Sequence, residues 1–401
     1  MMSNIAKLVT DLKDWQEGLY KELHSHPELS MQEEWTRERI AQELTDLGAE
    51  PKRIGGGVVA VLENGEGSTI LSRADFDALP LKEETGLDFA STVTQKDADG
   101  NTTPVMHGCG HDMHTACLLG AIKILLAQKD LWQGTFIALF QPGEETAQGA
   151  KSMVEDGLVD QVPKPEVCLA QHVVGIKEGT VNAVCGPTFS GATSLKITVY
   201  GKGSHGSMPH LSIDPIVMAA AIVLRLQTIV SRETSPSDFA VVTVGSITAG
   251  TSANTIPDSA TLQLNVRTYK ESVQKKVTES IERIVKAECA ASGSDREPEF
   301  EYFNRYPLTA NPEEQFDRIT GAFKDYFGDR YADGEKVTAS EDFTYIPKAF
   351  DVPYFYWTFG GFPDPESAPG NHSPQFAPTM SPSLQVGTEA QVVAALEYLG
   401  K

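Results

Sequence analysis

Four short stretches of this chain carry side chains that bind metal ions or move protons. Asp75 and Asp77 directly follow the apolar run TILSR, Glu144 and Glu145 follow TFIALF and a Pro-Gly pair, and His172 follows EVCLAQ. The fourth is His107-Gly-Cys109-Gly-His111-Asp112-Met-His114, in which flanking glycines let the backbone bring a thiolate and an imidazole towards one ion. Neutral His, ionised Cys and carboxylate are the usual zinc ligands, and a catalytic zinc keeps one position open for water. Each residue alone has an ordinary explanation: a strand-end His that is hydrogen-bonded, an inert Cys beside Gly, a solvated Glu pair. Their arrival at the ends of consecutive apolar runs argues for one shared centre, because in open α/β sheets ligands bind outside the carboxyl ends of the strands.

The elements that must position these groups are legible in the apolar periodicity. Leu8, Leu12, Trp15, Leu19 and Leu23 recur every three or four residues and predict an amphipathic helix, and a second helix ends at Gly48. Residues 57–63, 69–73, 135–140 and 166–171 read as buried strands, with helical segments around 114–128 and 146–157. That alternation predicts an α/β sheet covered by helices. From about Gly191 the rhythm restarts as strand, helix at 214–231, two strands, helix at 271–291 and a strand near 299–304. The order β-α-β-β-α-β is that of a split-βαβ, ferredoxin-like module. Residues 188–308 therefore read as an inserted domain, with 1–187 and 309–401 forming the other.

Composition bounds the partners. A chain of 401 residues favours two domains over one core. With 33 Lys and Arg against 55 Asp and Glu, the net charge of −22 repels nucleic acid and anionic membranes. The first twenty residues are interrupted by charges and read as neither signal peptide nor membrane span, and no other stretch reaches spanning length without a charge. Five cysteines without paired spacing argue against a disulfide framework, so a reducing cytoplasm is expected.

The motifs HSHPELSMQE, RADFDALPL, MHGCGHDMH, FQPGEE, AQHV, GKGSHGSMPH, SANTIP, SEDF and GNHSP occur in that order across nearly the whole chain. Together they resemble the amidohydrolase branch of the aminoacylase/carboxypeptidase superfamily, which includes hippurate hydrolases, auxin-conjugate hydrolases and bacterial N-acyl-amino-acid amidohydrolases. The resemblance implies a zinc-peptidase-like catalytic domain with an inserted ferredoxin-like lid and dimerisation domain. It implies two divalent metal ions, zinc with manganese or cobalt as substitutes, held by Cys109, His111, Glu145, His172 and His372. Glu144 is then the general base, Asp77 a supporting carboxylate, and His205 a donor to the carbonyl oxygen in the partner subunit's site. Asn254 and Arg267 of the lid would bind substrate, the Arg pairing with a carboxylate. The chain departs from the peptidase branches in having Asp75 where they have His, and a Cys/His pair where they have a bridging Asp.

The expected reaction is hydrolysis of the amide bond of a small N-acyl amino acid in a homodimer. Side chains of neighbouring residues diverge, so one carboxylate of the Glu pair can bind metal while the other handles protons. The alternatives are a dipeptidase or carboxypeptidase using the same site, a Cys109 nucleophile, and a non-catalytic metal-dependent binding protein. The Cys109 mechanism leaves both Glu and both outlying His without a role, and the binding protein has no use for Glu144. The roles of His24, His26, His107, His114, Glu341 and Asp342 stay open, with His114 on the helix face of His111.

Overall fold

A computed structural model describes residues 5–401 and divides the chain into two compact units. The first takes the chain up to Thr188, Ala310–Lys336 and Asp342–Lys401. Its eight-stranded sheet runs in the order Pro51–Ile54, Gly57–Asn64, Gly134–Gln141, Thr69–Asp75, Val167–Lys177, Tyr354–Phe362, Val181–Ala183, Tyr331–Asp333. The central four strands, from Gly134–Gln141 to Tyr354–Phe362, are mutually parallel. Parallel strands must be covered on both faces, which is why these read as continuous apolar runs. The His111–Ala127 helix packs against Met380–Leu399 and Lys13–His24, and Gly149–Glu155 packs against Tyr345–Phe350.

Several predicted bounds move. The first helical pattern is two helices, Ile5–Asp11 and Lys13–His24, separated at Leu12. The strand expected to stop before His172 continues through it to Lys177, because its partner Tyr354–Phe362 extends the parallel ladder, pairing Thr358 with His172. His172 is thus a strand residue, not one beyond a strand end.

The second unit comprises Phe189–Thr309 and Val337–Glu341. Strands Gly191–Tyr200, Ala240–Ala249, Ser259–Thr268 and Glu299–Tyr306 form an antiparallel sheet, with Ala240–Ala249 and Glu299–Tyr306 at the edges. Helices Pro215–Thr228 and Glu271–Ala291 cover one face, burying Ile222 and Ile281 against Leu195, Ile197 and Leu262. Asp214 caps the first of these, accepting the amides of Ile216 and Val217 ahead of Pro215. The stretch Pro215–Glu233 is long and apolar enough to cross a bilayer by length and composition, but Met218, Ile222 and Leu226 are buried in this unit's core. Sequence reading gave all of 309–401 to the other unit. The segment 337–341 instead belongs here because the Ser190 amide donates to Ala339 O at 2.8 Å and Arg267 Nη1 to Thr338 O at 2.7 Å.

Candidate metal centre

The first unit gathers Cys109, His111, Glu144, Glu145, His172 and His372. Gly110 has φ +84°, and a Cβ there would lie 2.3 Å from Val173 Cγ1, so only glycine lets Cys109 and His111 follow one another into this turn. His111 opens the helix that follows. Glu144 and Glu145 lie on a single 3₁₀ turn after Gly143. His372 has φ +67°, and its amide donates to Gly108 O at 2.7 Å, which fastens the C-terminal loop to the Cys109 turn.

Ligand-type atoms of Cys109, His111 and His172 lie within 4.8 Å of one another, as do those of Cys109, Glu145 and His372. Cys109 therefore belongs to both groups. His172 Nε2 is 3.4 Å from Cys109 Sγ, and His372 Nε2 is 3.2 Å from Glu145 Oε2. One oxygen each of Glu144 and Glu145 and a ring nitrogen of His111 also lie within 4.8 Å of one another, as a third group. Glu145 alone of the pair joins Cys109 and His372.

Hydrogen bonds set the imidazole tautomers. His111 Nδ1 donates to Asp77 Oδ1 at 3.0 Å, leaving Nε2 buried without a hydrogen-bond partner among these groups. His172 Nδ1 donates to Val173 O at 2.7 Å, which leaves its Nε2 lone pair towards Cys109. This is the outer support that ligating histidines receive. His114 is arranged the opposite way: Nε2 accepts the Val173 amide at 2.8 Å and Nδ1 donates to Asp75 Oδ1 at 2.6 Å. Both of its nitrogens are engaged, so it supports Asp75 and the strand.

The electrostatics favour a cation. Burial opposes a charged His111, yet Asp75, Asp77 and Cys109 push its pKa well above the ordinary value. Bonds to Cys109 and Glu145 raise His372 to about 10, against burial. Burial holds His172 well below its usual range, with His114 adding to the effect, and so keeps it a neutral donor. Surroundings that draw a proton onto His111, together with an orphaned buried Nε2 and thiol, imidazole and carboxylate donors, fit divalent zinc-type ions. Burial and the Glu145 charge raise the Cys109 thiol, the reverse of what a nucleophilic cysteine needs.

Asp77 is fully buried and also accepts Ser30 Oγ at 2.7 Å and the Glu145 amide at 3.0 Å. Beside it, buried Arg73 donates to Asp75 Oδ2 at 2.6 Å and Gln141 Oε1 at 2.8 Å. Asp342 accepts Gln141 Nε2 at 2.6 Å, the Ala150 amide at 3.1 Å and Arg73 Nη2 at 3.4 Å. Sequence reading passed over Arg73, Ser30, Glu33 and Asn371, whose Nδ2 lies 3.6 Å from Cys109 Sγ. All four stand inside quoted motifs, but nothing in spacing assigns them partners.

In the second unit His205 and Asn254 are neighbours: His205 pairs with Thr255, and the Gly206 amide donates to Asn254 O at 2.7 Å. His205 Nδ1 accepts the Ser207 amide at 3.2 Å, which places its proton on Nε2. Arg267 lies elsewhere in that unit, its Nε on Asn265 Oδ1 at 2.9 Å and Nη1 on Thr338 O and Ser340 Oγ.

Fold and site together define a hydrolase of the metal-dependent peptidase type. The chain belongs to peptidase family M20/M25/M40, whose model matches residues 71–396. It is 35% identical to the hippurate hydrolase of Campylobacter jejuni over 86% of this chain and 88% of that one. It is 33% identical to thermostable carboxypeptidase 2 of Saccharolobus solfataricus over the full length of both. The Bacillus subtilis YXEP protein, described as a dinuclear metal-binding peptidase of the M20 family, superposes with a TM-score of 0.79 at 28% identity, covering 96% of this chain and 98% of its own.

His24 and His26 take structural positions. His26 stacks on Trp35 at 4.3 Å. His24 is buried, with Nδ1 on Asp112 Oδ2 at 2.7 Å and Nε2 on Glu83 Oε1 at 3.1 Å, while His107 sits beside it with both ring nitrogens lacking hydrogen bonds. Burial opposes the charged form of His24, but Asp112 and Glu83 raise its pKa from 6.5 to about 9. A raised folded pKa contributes stability fully below pH 6.5 that is lost as pH rises through about 9. His24→Gln is therefore expected to flatten the loss of stability across that window. Denaturant midpoints for both proteins near pH 6 and near pH 9.5 check this, and equal losses would rule the pair out as its source.

Proposed function

We propose that this protein hydrolyses the amide bond of small N-acyl amino acids, using two divalent metal ions held by Cys109, His111, Glu145, His172 and His372. The observation that carries the reading is the pair of three-residue groups sharing Cys109, with Glu144 alongside but outside both. When bound, the metals lower the pKa of water and polarise the scissile carbonyl. Glu144 accepts the proton of the attacking water and delivers it to the leaving nitrogen. Asp77 and the Val173 carbonyl hold His111 and His172 in the tautomers that present Nε2. Zinc is the proposed metal, with manganese or cobalt as substitutes. The hippurate hydrolase relative supports acyl amino acids as substrates, and the carboxypeptidase relative favours short peptides as a second reading at the same site. A panel of hippurate, acyl-glutamine, acetyl-amino acids and dipeptides separates the two. A chelator should abolish turnover and Zn²⁺, Mn²⁺ or Co²⁺ restore it; full turnover by protein shown metal-free by elemental analysis would sink the proposal.

The two glutamates should fail differently. Glu144→Gln is expected to keep its metal while turnover falls ~10²-fold or more, whereas Glu145→Gln should also lower metal occupancy. Near-normal turnover in Glu144→Gln, or equal metal loss in both, would reverse these roles.

The proposal extends to a cytoplasmic homodimer, a compartment suited to five unpaired cysteines. The second unit leaves Val217 65% and Leu224 74% exposed on one helix and the Ala240–Ala249 strand at a sheet edge, surfaces suited to a second copy. In that dimer His205 donates from Nε2 to the carbonyl oxygen in the partner's site, with Asn254 and Arg267 contacting substrate. His205→Ala should lose roughly 10²–10³-fold in turnover with metal intact. Mixing Glu144→Ala and His205→Ala subunits gives about half hybrids, each with one intact site, so about a quarter of wild-type activity should return. No return despite demonstrated subunit exchange would refute sharing between subunits.

A further inference from the structure

The motif HSHPELSMQE finds no place in the chemistry above, yet its Ser30–Glu33 turn touches the loop that carries both glutamates. The Ala78 amide donates to Glu28 O at 2.8 Å, which lays this segment alongside the Asp77 strand end. Glu28 closes the turn from behind, accepting the Trp35 and Thr36 amides at 3.0 and 2.8 Å. From there Ser30 Oγ donates to Asp77 Oδ2 at 2.7 Å, and the same Asp77 oxygen accepts the Glu145 amide at 3.0 Å. Three residues on, buried Glu33 accepts the Gly143 amide at 2.8 Å.

Gly143 is the pivot of the catalytic loop. It is left-handed at φ +56°, and a Cβ there would lie 2.5 Å from Met31 Sδ, so the turn is packed against it as well as bonded. Its carbonyl accepts the Gln148 and Gly149 amides at 3.2 and 3.1 Å. The turn therefore fixes the loop at two points, residue 143 through Glu33 and residue 145 through Ser30 and Asp77, with Glu144 between them. Met31 is itself left-handed at φ +63°, a conformation disfavoured for a side-chain-bearing residue and held by its surroundings.

We propose that the Ser30–Glu33 turn is a clasp that positions Glu144, with Glu33 as a positioning residue for catalysis. This rests on Glu144 being the general base. A misplacement of about 1 Å at a reacting group costs on the order of 10²-fold in rate, so the clasp acts on turnover rather than on substrate affinity. Burial and the nearby Asp77 charge push the Glu33 pKa up to about 8, so glutamine, neutral and with the same acceptor oxygen, is its conservative replacement.

The test is steady-state kinetics with metal analysis on full-length Glu33→Ala, Glu33→Gln and Ser30→Ala. Glu33→Ala should lose about 10- to 100-fold in kcat with KM and metal content unchanged, and Glu33→Gln should recover most of that loss. Wild-type kcat in Glu33→Ala, a loss matched by metal or folded fraction, or no rescue by glutamine would overturn the clasp. Should Glu33→Ala not fold, Ser30→Ala decides: a several-fold fall in kcat at constant KM supports the clasp and an unchanged kcat overturns it. An active Glu144→Gln would instead remove the base on which the proposal rests. An inactive Glu144→Gln beside fully active clasp variants rejects the clasp alone.

Discussion

The His111 and glutamate side of the candidate centre depends on one buried carboxylate, that of Asp77. It receives a ring N–H from His111, a hydroxyl from Ser30 and the amide of Glu145, donors that come from three separate segments of the first unit. Burial disfavours its charge, but those donors more than offset the cost and keep its pKa low. An ionised Asp77 decides which His111 nitrogen carries the proton, and it holds the glutamate turn at a fixed distance from that ring. Asp75 does the same for His114 from the neighbouring position. It is steadied by Arg73, a cation that is itself fully buried and therefore must be paired.

Local pattern carried much of this into view. Three of the four central strands, Thr69–Asp75, Gly134–Gln141 and Val167–Lys177, were readable as apolar runs because parallel strands are buried on both faces, whereas Tyr354–Phe362 was not assigned, and the second unit was readable because its restart of rhythm closes on itself. The turns bearing Cys109 and the Glu pair were visible through their glycines, since positive φ at Gly110 and Gly143 has few other solutions. What stayed hidden is long-range. Ser30 and Asp77 are far apart in sequence, as are Glu33 and Gly143, and no periodicity pairs them. His172 was placed beyond its strand because the ladder that extends that strand comes from Tyr354–Phe362, late in the chain. The 337–341 segment was assigned by sequence position, whereas its carbonyls are taken by Ser190 and Arg267.

The sheet order also governs how the chain can be made. Strand Tyr354–Phe362 lies between Val167–Lys177 and Val181–Ala183, although the entire second unit is encoded between them. A chain emerging from the ribosome therefore completes most of the second unit while the first still has an unpaired apolar edge along Val167–Lys177. Such an edge templates wrong pairings until its neighbour arrives. The Met380–Leu399 helix, which covers His111–Ala127, comes later still. His372, whose ring meets Glu145 at 3.2 Å, is made after that strand as well. The centre thus cannot close before His372 is made, well after the other residues it joins.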